Sequence, residues 1–279
     1  MACNIVVTML NKATFAVVDF KYPYALSAVH MACNIVGTQM YFFAARTEKP
    51  KAIDPENRKS ILLFSVVFSL NVAIGNISLR WVSVNFNQVS RSLVPALVMI
   101  ISTLFYAKKY SSKLKLAIVP VVLGVALTFY GDMSYTAIGA FYTMFCVCMA
   151  ALKAIVSGEL LTGELKLHPL DLLHKMCPLA LIQILCLSIL SGEVSEIMQR
   201  WPELAGSSAP QVVLFSGILS FALNVSSFVA NKVTSPLTLC ISANLKQVLL
   251  VLFGTLYFGD HVSLINGMGI VIVLAAGFK

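Results

Sequence analysis

Three basic residues sit inside stretches that are otherwise almost wholly apolar. Lys246 falls near the middle of Ser235 to Asp260, SPLTLCISANLKQVLLVLFGTLYFGD; Arg91 and Lys153 fall inside two other apolar runs. A charge at mid-bilayer is unfavourable by roughly 2.5 kcal/mol or more even on the mildest scale, so such a residue normally faces a cavity or a partner. No acid is available to be that partner. All 12 acids, from Asp19 to Asp260, fall in connections or at the ends of apolar runs. Buried cations without buried carboxylates call for an anion from outside the chain, most simply a phosphate or another organic anion held by Arg and Lys. The same pattern disfavours a proton- or sodium-coupled carrier, which uses membrane carboxylates. It also disfavours a membrane enzyme placing Mg²⁺ on pyrophosphate, which needs them clustered. No metal ligand set, cofactor motif or activated nucleophile stands out.

Neutral polar residues accompany the cations. Asn85, Asn87, Gln88 and Ser90 lead up to Arg91, while Thr238, Ser242, Asn244 and Gln247 share a run with Lys246. These can hydrogen-bond a ligand, and they can equally join helices in lipid. Lys153 is open to either role. Lys175 is close enough to a run's end to snorkel. His30 and His174 are first expected to be packed core histidines, with His30 kept as a weaker binding candidate alongside Thr238 and Ser242.

The elements that must position these groups are helices. The chain of 279 residues is 58% hydrophobic and 11% charged, against about 25% charged in a soluble domain. Its apolar runs are unbroken rather than alternating, which favours helices over a barrel. Runs long enough to span, about 20 residues each, are expected at 2–18, 24–44, 60–79, 84–107, 115–131, 135–158, 170–191, 210–231, 235–258 and 262–278, here called spans 1 to 10. The first begins almost at Met1 and the last ends at Lys279, which leaves room for trimming at either terminus. The connections after even-numbered spans, with the C-terminus, hold 12 basic residues and those after odd-numbered spans hold 4; this bias predicts both termini in the cytosol. It also explains the net charge of +8 without nucleic acid. The seven cysteines lie in apolar runs, and no pair has zinc or redox spacing. The partners expected are the lipid bilayer and an anionic small molecule; a homodimer is compatible with the sequence and not required by it.

A weak internal repeat adds topology. Thr103-Leu104-Phe105-Tyr106 closes span 4 as Thr255-Leu256-Tyr257-Phe258 closes span 9. Tyr22-Pro23-Tyr24-Ala25-Leu26 opens span 2 as His168-Pro169-Leu170-Asp171-Leu172 opens span 7. Two halves of five spans, about 1–132 and 133–279, satisfy both matches. Five is odd, so the second half must be inverted relative to the first. The fold class expected is an all-α integral membrane protein of about ten transmembrane helices in two inverted five-helix halves. Offsetting by the repeat puts Lys246 opposite Val94, one turn from Arg91, so each half contributes one cation at similar depth.

Asn71 through Pro95, NVAIGNISLRWVSVNFNQVSRSLVP, resembles a signature stretch of the triose-phosphate translocator and nucleotide-sugar transporter family, within the drug/metabolite transporter superfamily. Phe20–Met31 (FKYPYALSAVHM) resembles that family's second-helix opening, and Ser235 to Asp260 its ninth-helix signature. The resemblance runs over nearly the whole chain. It implies ten helices in two inverted halves and exchange of organic phosphates, with Lys246 on the substrate phosphate. It also matches Lys153 to a basic position of the sixth helix and Asn224 to an asparagine of the eighth. Plastid phosphate translocators carry arginine after the ninth-helix lysine; here the residue is Gln247, which points to the nucleotide-sugar branch.

The function expected is therefore antiport of a nucleotide sugar against a nucleoside monophosphate in the Golgi or endoplasmic reticulum membrane. Arg91 and Lys246, with Lys153, would face the phosphates, and Asn87, Gln88, Asn244 and Gln247 would supply hydrogen bonds. The alternative is a sugar-phosphate/phosphate exchanger. A membrane enzyme lacks its catalytic groups here, and a receptor would favour seven spans and an extracellular disulfide.

Overall fold

The computed structural model describes residues 20–45, 50–51, 54–78, 81–82, 84–131, 136–238, 267–268 and 271–272. Spans 1 and 9 and most of span 10 thus lie outside the described residues. The described chain is helical, with no strand: α1 (Pro23–Ala44), α2 (Pro55–Ser78), α3 (Val84–Arg91), α4 (Val94–Tyr106), α5 (Ser112–Gly131), α6 (Ala137–Thr162), α7 (Pro169–Leu190), α8 (Glu193–Gln199), α9 (Trp201–Gly206) and α10 (Ala209–Val233). Among the described residues five stretches are long and apolar enough to cross a bilayer: Asn57–Gly75, Val89–Tyr106, Ala137–Thr162, Pro169–Leu190 and Ala209–Val233. α1 is of similar length but carries His30, Asn34 and Thr38 on one buried face. Large apolar side chains stand on the outside, Phe43 at 85% and Leu190 at 83% exposure among them. Such a surface belongs against lipid rather than water. This is an all-α integral membrane protein.

Helix boundaries follow the expected spans closely, with two corrections. Span 4 is two helices, not one. Pro95 has no N–H to donate, and its ring collides with the carbonyl four residues earlier, that of Arg91. The backbone tightens there instead, with Ser92 N donating to Val89 O at 2.9 Å and Leu93 N to Ser90 O at 3.0 Å. The second correction is the stretch after span 7, expected as a plain connection, which folds into the short helices α8 and α9.

The described residues fall into two compact units, each drawing on both sequence halves. The first contains α1, α2 as far as Ala73, the end of α6 from Ser157, and α7 to α10. In it α1 packs chiefly on α7 and α10. α1 and α7 run antiparallel, as two long-range contacts at opposite ends demonstrate. Glu193, just past the end of α7, accepts from Tyr24 N (3.2 Å) and Ala25 N (2.8 Å) in the first turn of α1. At the other end Lys51 N, beyond α1, donates to Asp171 in the first turn of α7 at 3.1 Å. Each carboxylate satisfies N–H groups outside its own helix, and Glu193 also sits at the positive end of the α1 dipole. Both acids are buried, yet both stand at helix ends as the sequence predicts.

The second unit contains the end of α2 from Ile74, α3 to α5, and α6 as far as Val156. Its core joins Val98 and Met99 of α4, Ile118 of α5, Ala151 and Ile155 of α6, and Leu237.

Candidate functional site

Arg91 occupies the last turn of α3, where a cation is favoured by the helix dipole. Pro95 ends that helix in the very next turn, so the guanidinium is carried at a break in a membrane-spanning path. Its Nε donates to Asn87 Oδ1 at 3.0 Å, one turn back. Asn87 Nδ2 in turn donates to Ser78 Oγ at 2.7 Å, and Ser78 Oγ donates to Gly75 O at 2.8 Å. Asn87 is 2% exposed and Ser78 0%. The chain of bonds fixes the Asn87 amide, oxygen toward Arg91, and thereby fixes the guanidinium plane. Nη2 reaches Cys146 Sγ on α6 at 3.5 Å.

Gly75 permits this arrangement. A Cβ there would lie 3.1 Å from Arg91 Nη2 and 3.3 Å from Cys146 Sγ, so the arginine lies against bare α2 backbone. Among the described residues no carboxylate is paired with Arg91. The described partners are neutral, so they orient the group without neutralising it. Lys153 follows Cys146 by seven residues on α6, nearly two full turns, which puts both on one face roughly 10 Å apart along the axis. Lys153 is half-buried.

The first unit holds a different polar assembly. His30, Asn34 and Thr38 recur at four-residue spacing on α1, and Ser216, Ser220 and Asn224 do so on α10. His30 Nε2 bonds Ser216 Oγ at 3.0 Å. Asn224 Nδ2 donates to Asn34 Oδ1 at 3.1 Å and reaches Ser220 Oγ at 3.5 Å. Asn34 Nδ2 and Thr38 Oγ1 donate to carbonyls one turn back, at 2.6 Å and 2.9 Å. The two helices run parallel and close: a Cβ on Gly217 would lie 2.6 Å from Cys33 Sγ. Small residues with hydrogen bonds across them are how helices adhere in lipid. The weaker candidates His30 and Asn224 are thus members of a helix–helix ladder.

Of the remaining sequence-predicted residues, Thr238 is exposed and lies in a capped turn: its N–H donates to Ser235 Oγ at 3.1 Å, and the two hydroxyls are 2.9 Å apart. Ser235 acts as an N-cap for the helix opening at residues 236–238. Gln88 lies in α3, but its side chain is outside the described residues. Ser242, Asn244, Lys246 and Gln247 also lie outside them. Arg91 and Asn87, both expected at the site, bond each other one turn apart. Ser78, Cys146 and Gly75 went unassigned as their partners; Gly75 and Ser78 lie within the Asn71–Pro95 signature, but nothing in their spacing singles them out.

Comparison with known proteins places this geometry in context. The Triose-phosphate Transporter family matches residues 1–278. UDP-galactose transporter 1 of Arabidopsis thaliana is 32% identical over 97% of this chain and 81% of its own. GDP-mannose transporter GONST5 of the same plant is 30% identical over 97% and 80%. A probable sugar phosphate/phosphate translocator, At1g12500, is also 30% identical, over 97% and 76%. A solved crystal structure covers 99% of this chain and 92% of its own with a TM-score of 0.66 at 13% identity, a likeness of fold.

Proposed function

This chain belongs to the Triose-phosphate Transporter family, whose members are membrane transporters rather than enzymes, and on that premise we propose that it exchanges a nucleotide sugar for a nucleoside monophosphate across a Golgi or endoplasmic reticulum membrane. The observation that carries this reading is Arg91: a cation inside the membrane, held in one orientation by Asn87, Ser78 and Cys146, with no acid paired to it among the described residues. A phosphate is the natural complement of such a group. Lys246 supplies the second cation, and Lys153 lines the approach from α6. Asn244, Gln88 and Gln247 join Asn87 in reading the neutral parts of the substrate.

The architecture proposed is ten spans in two inverted halves, with both termini cytosolic. In support, α1 and α7 open with the repeated Pro motif and run antiparallel within one unit. The coupling proposed is strict exchange. An empty site leaves its cations without a counter-charge, and moving them across the bilayer unaccompanied is unfavourable. A loaded carrier reorients; an empty one resists.

Two relatives that transport nucleotide sugars by name, together with Gln247 where phosphate translocators have arginine, favour the nucleotide-sugar branch. The sugar-phosphate/phosphate reading is kept because of the relatives named as such translocators. Counter-exchange in proteoliposomes decides. Vesicles preloaded with UMP, GMP, CMP, AMP or phosphate are offered labelled nucleotide sugars and sugar phosphates, beside a Lys246→Ala protein. Uptake against one nucleoside monophosphate, lost in the variant, is the expected result. Uptake only against phosphate moves the protein to the other branch. Robust uptake into vesicles with no exchangeable anion sinks the exchange mechanism.

A further inference from the structure

An open groove of about 690 Å³ lies between the first turns of α2 and α7, within the first unit. Both walls have the same gradient. On α2, Arg58 and Lys59 come first and Ile61 and Leu62 follow; on α7, His174 and Lys175 come first and Pro178 and Leu179 follow. Both helices start at the same end of the unit, since α2 follows α1 directly and Lys51 between them bonds Asp171 at the start of α7. The cations therefore lie within roughly 4–9 Å of the helix starts and the apolar residues one turn deeper. Leu62 is 48% exposed.

Among the described residues no carboxylate lines the groove. The nearby Asp171 is directed to Lys51 N. The end that carries the groove is also the basic end of the unit: Lys51 Nζ donates to Leu165 O at 2.7 Å and Lys232 Nζ to Leu167 O at 3.2 Å. One polar group at the groove wall is left over: His174 Nδ1 is buried with no partner among the described residues.

We infer that this groove holds one anionic phospholipid of the leaflet at the basic end, its phosphate against Arg58, Lys59 and Lys175 and an acyl chain along Leu62 and Pro178. An anion alone would use the cationic rim and leave the apolar floor bare; a neutral lipid would use the floor and leave three cations without counter-charge. Only an anionic lipid matches both parts, in the order in which the groove presents them. The inference stands apart from the transport reading, because Arg91 and Lys246 take no part in it.

The test is native mass spectrometry of the whole chain in uncharged detergent, titrated separately with phosphatidylcholine, phosphatidylserine, phosphatidylinositol 4-phosphate and inorganic phosphate. One tight lipid per chain is expected, phosphatidylinositol 4-phosphate above phosphatidylserine above phosphatidylcholine. Lys175→Gln should weaken that adduct about fivefold, and the combined Arg58→Gln, Lys59→Gln, Lys175→Gln protein by about a hundredfold, at about fivefold per cation near the surface. Arg200→Gln, at a half-buried arginine outside the groove, should change nothing. Arg58→Gln alone, at an exposed position, serves if the combined variant does not fold. Equal binding of all three lipids, binding unaffected by the groove substitutions, or inorganic phosphate competing at the lipid's own concentration would each overturn the inference.

Discussion

The α1–α10 ladder and the Arg91 cluster are made of nearly the same neutral parts, asparagine and serine at helical spacing, buried at a helix contact. They differ in what ends the chain of bonds. In the ladder each donor meets a neutral acceptor on the facing helix or one turn back, so His30, Asn34, Ser216 and Asn224 complete one another. In the second cluster the bonds run Ser78–Asn87–Arg91 and terminate on a full positive charge. A closed neutral network in lipid adheres helices. A network that orients a cation without neutralising it is prepared for something that arrives from outside. On the proposed reading, buried polarity alone does not mark the site; unbalanced charge does.

The sharpest way to break this contrast is Arg91→Ala. A charge-assisted hydrogen bond to substrate is worth roughly 1.5–3 kcal/mol, so exchange in proteoliposomes should fall by roughly 10- to 100-fold. Thermal unfolding in detergent should barely move, because the variant also removes a poorly compensated, half-buried charge. If instead the protein unfolds early and exchange per folded molecule is intact, Arg91 is glue like the ladder, and the contrast fails.

Glu193→Ala examines the converse, a buried charge that is structural. Its carboxylate holds Tyr24 N and Ala25 N at the start of α1 and meets Ser188 Oγ at 3.3 Å. Leaving buried donors unsatisfied destabilises by roughly 1–3 kcal/mol. The unfolding midpoint should drop while the KM of exchange holds. A changed KM at constant stability would make Glu193 part of the transport path and reverse its assignment.

How far these assignments could be read beforehand depends on how local their causes are. α1, α7 and α10 begin and end within two residues of their expected spans, because a proline or a polar residue marks each boundary locally. The break at Ser92 and Leu93 was also local in cause: Pro95 was visible, yet the unbroken apolar run around it suggested one helix. α8 and α9 carry no long apolar period. They form against neighbours, Leu204 packing with Tyr22 and Ala209, which no local pattern announces. The i, i+4 spacing of Asn87 and Arg91 is compatible with their bond, whereas nothing local points to Cys146, 55 residues from Arg91. The Asn34–Asn224 bond spans 190 positions. The resemblance singled out Asn224 but not its partner, and the partner is what identifies the ladder.

Asn224→Ala gives the smallest effect and the finest distinction. Hydrogen bonds between membrane helices average roughly 0.6 kcal/mol and reach about 1.7. Losing Asn224 frees Asn34 Oδ1 while His30–Ser216 and the contact of Gly217 with Cys33 remain. The midpoint should therefore shift by a few degrees at most, with KM unchanged. Asn34→Ala should match it, and the double variant should lose little more than either alone, since both remove the same bond. A KM that rises in Asn224→Ala but not in Asn34→Ala would separate the two partners. Asn224 would then serve the substrate directly, and the line between adhesive and binding polarity would have to be drawn through the ladder itself.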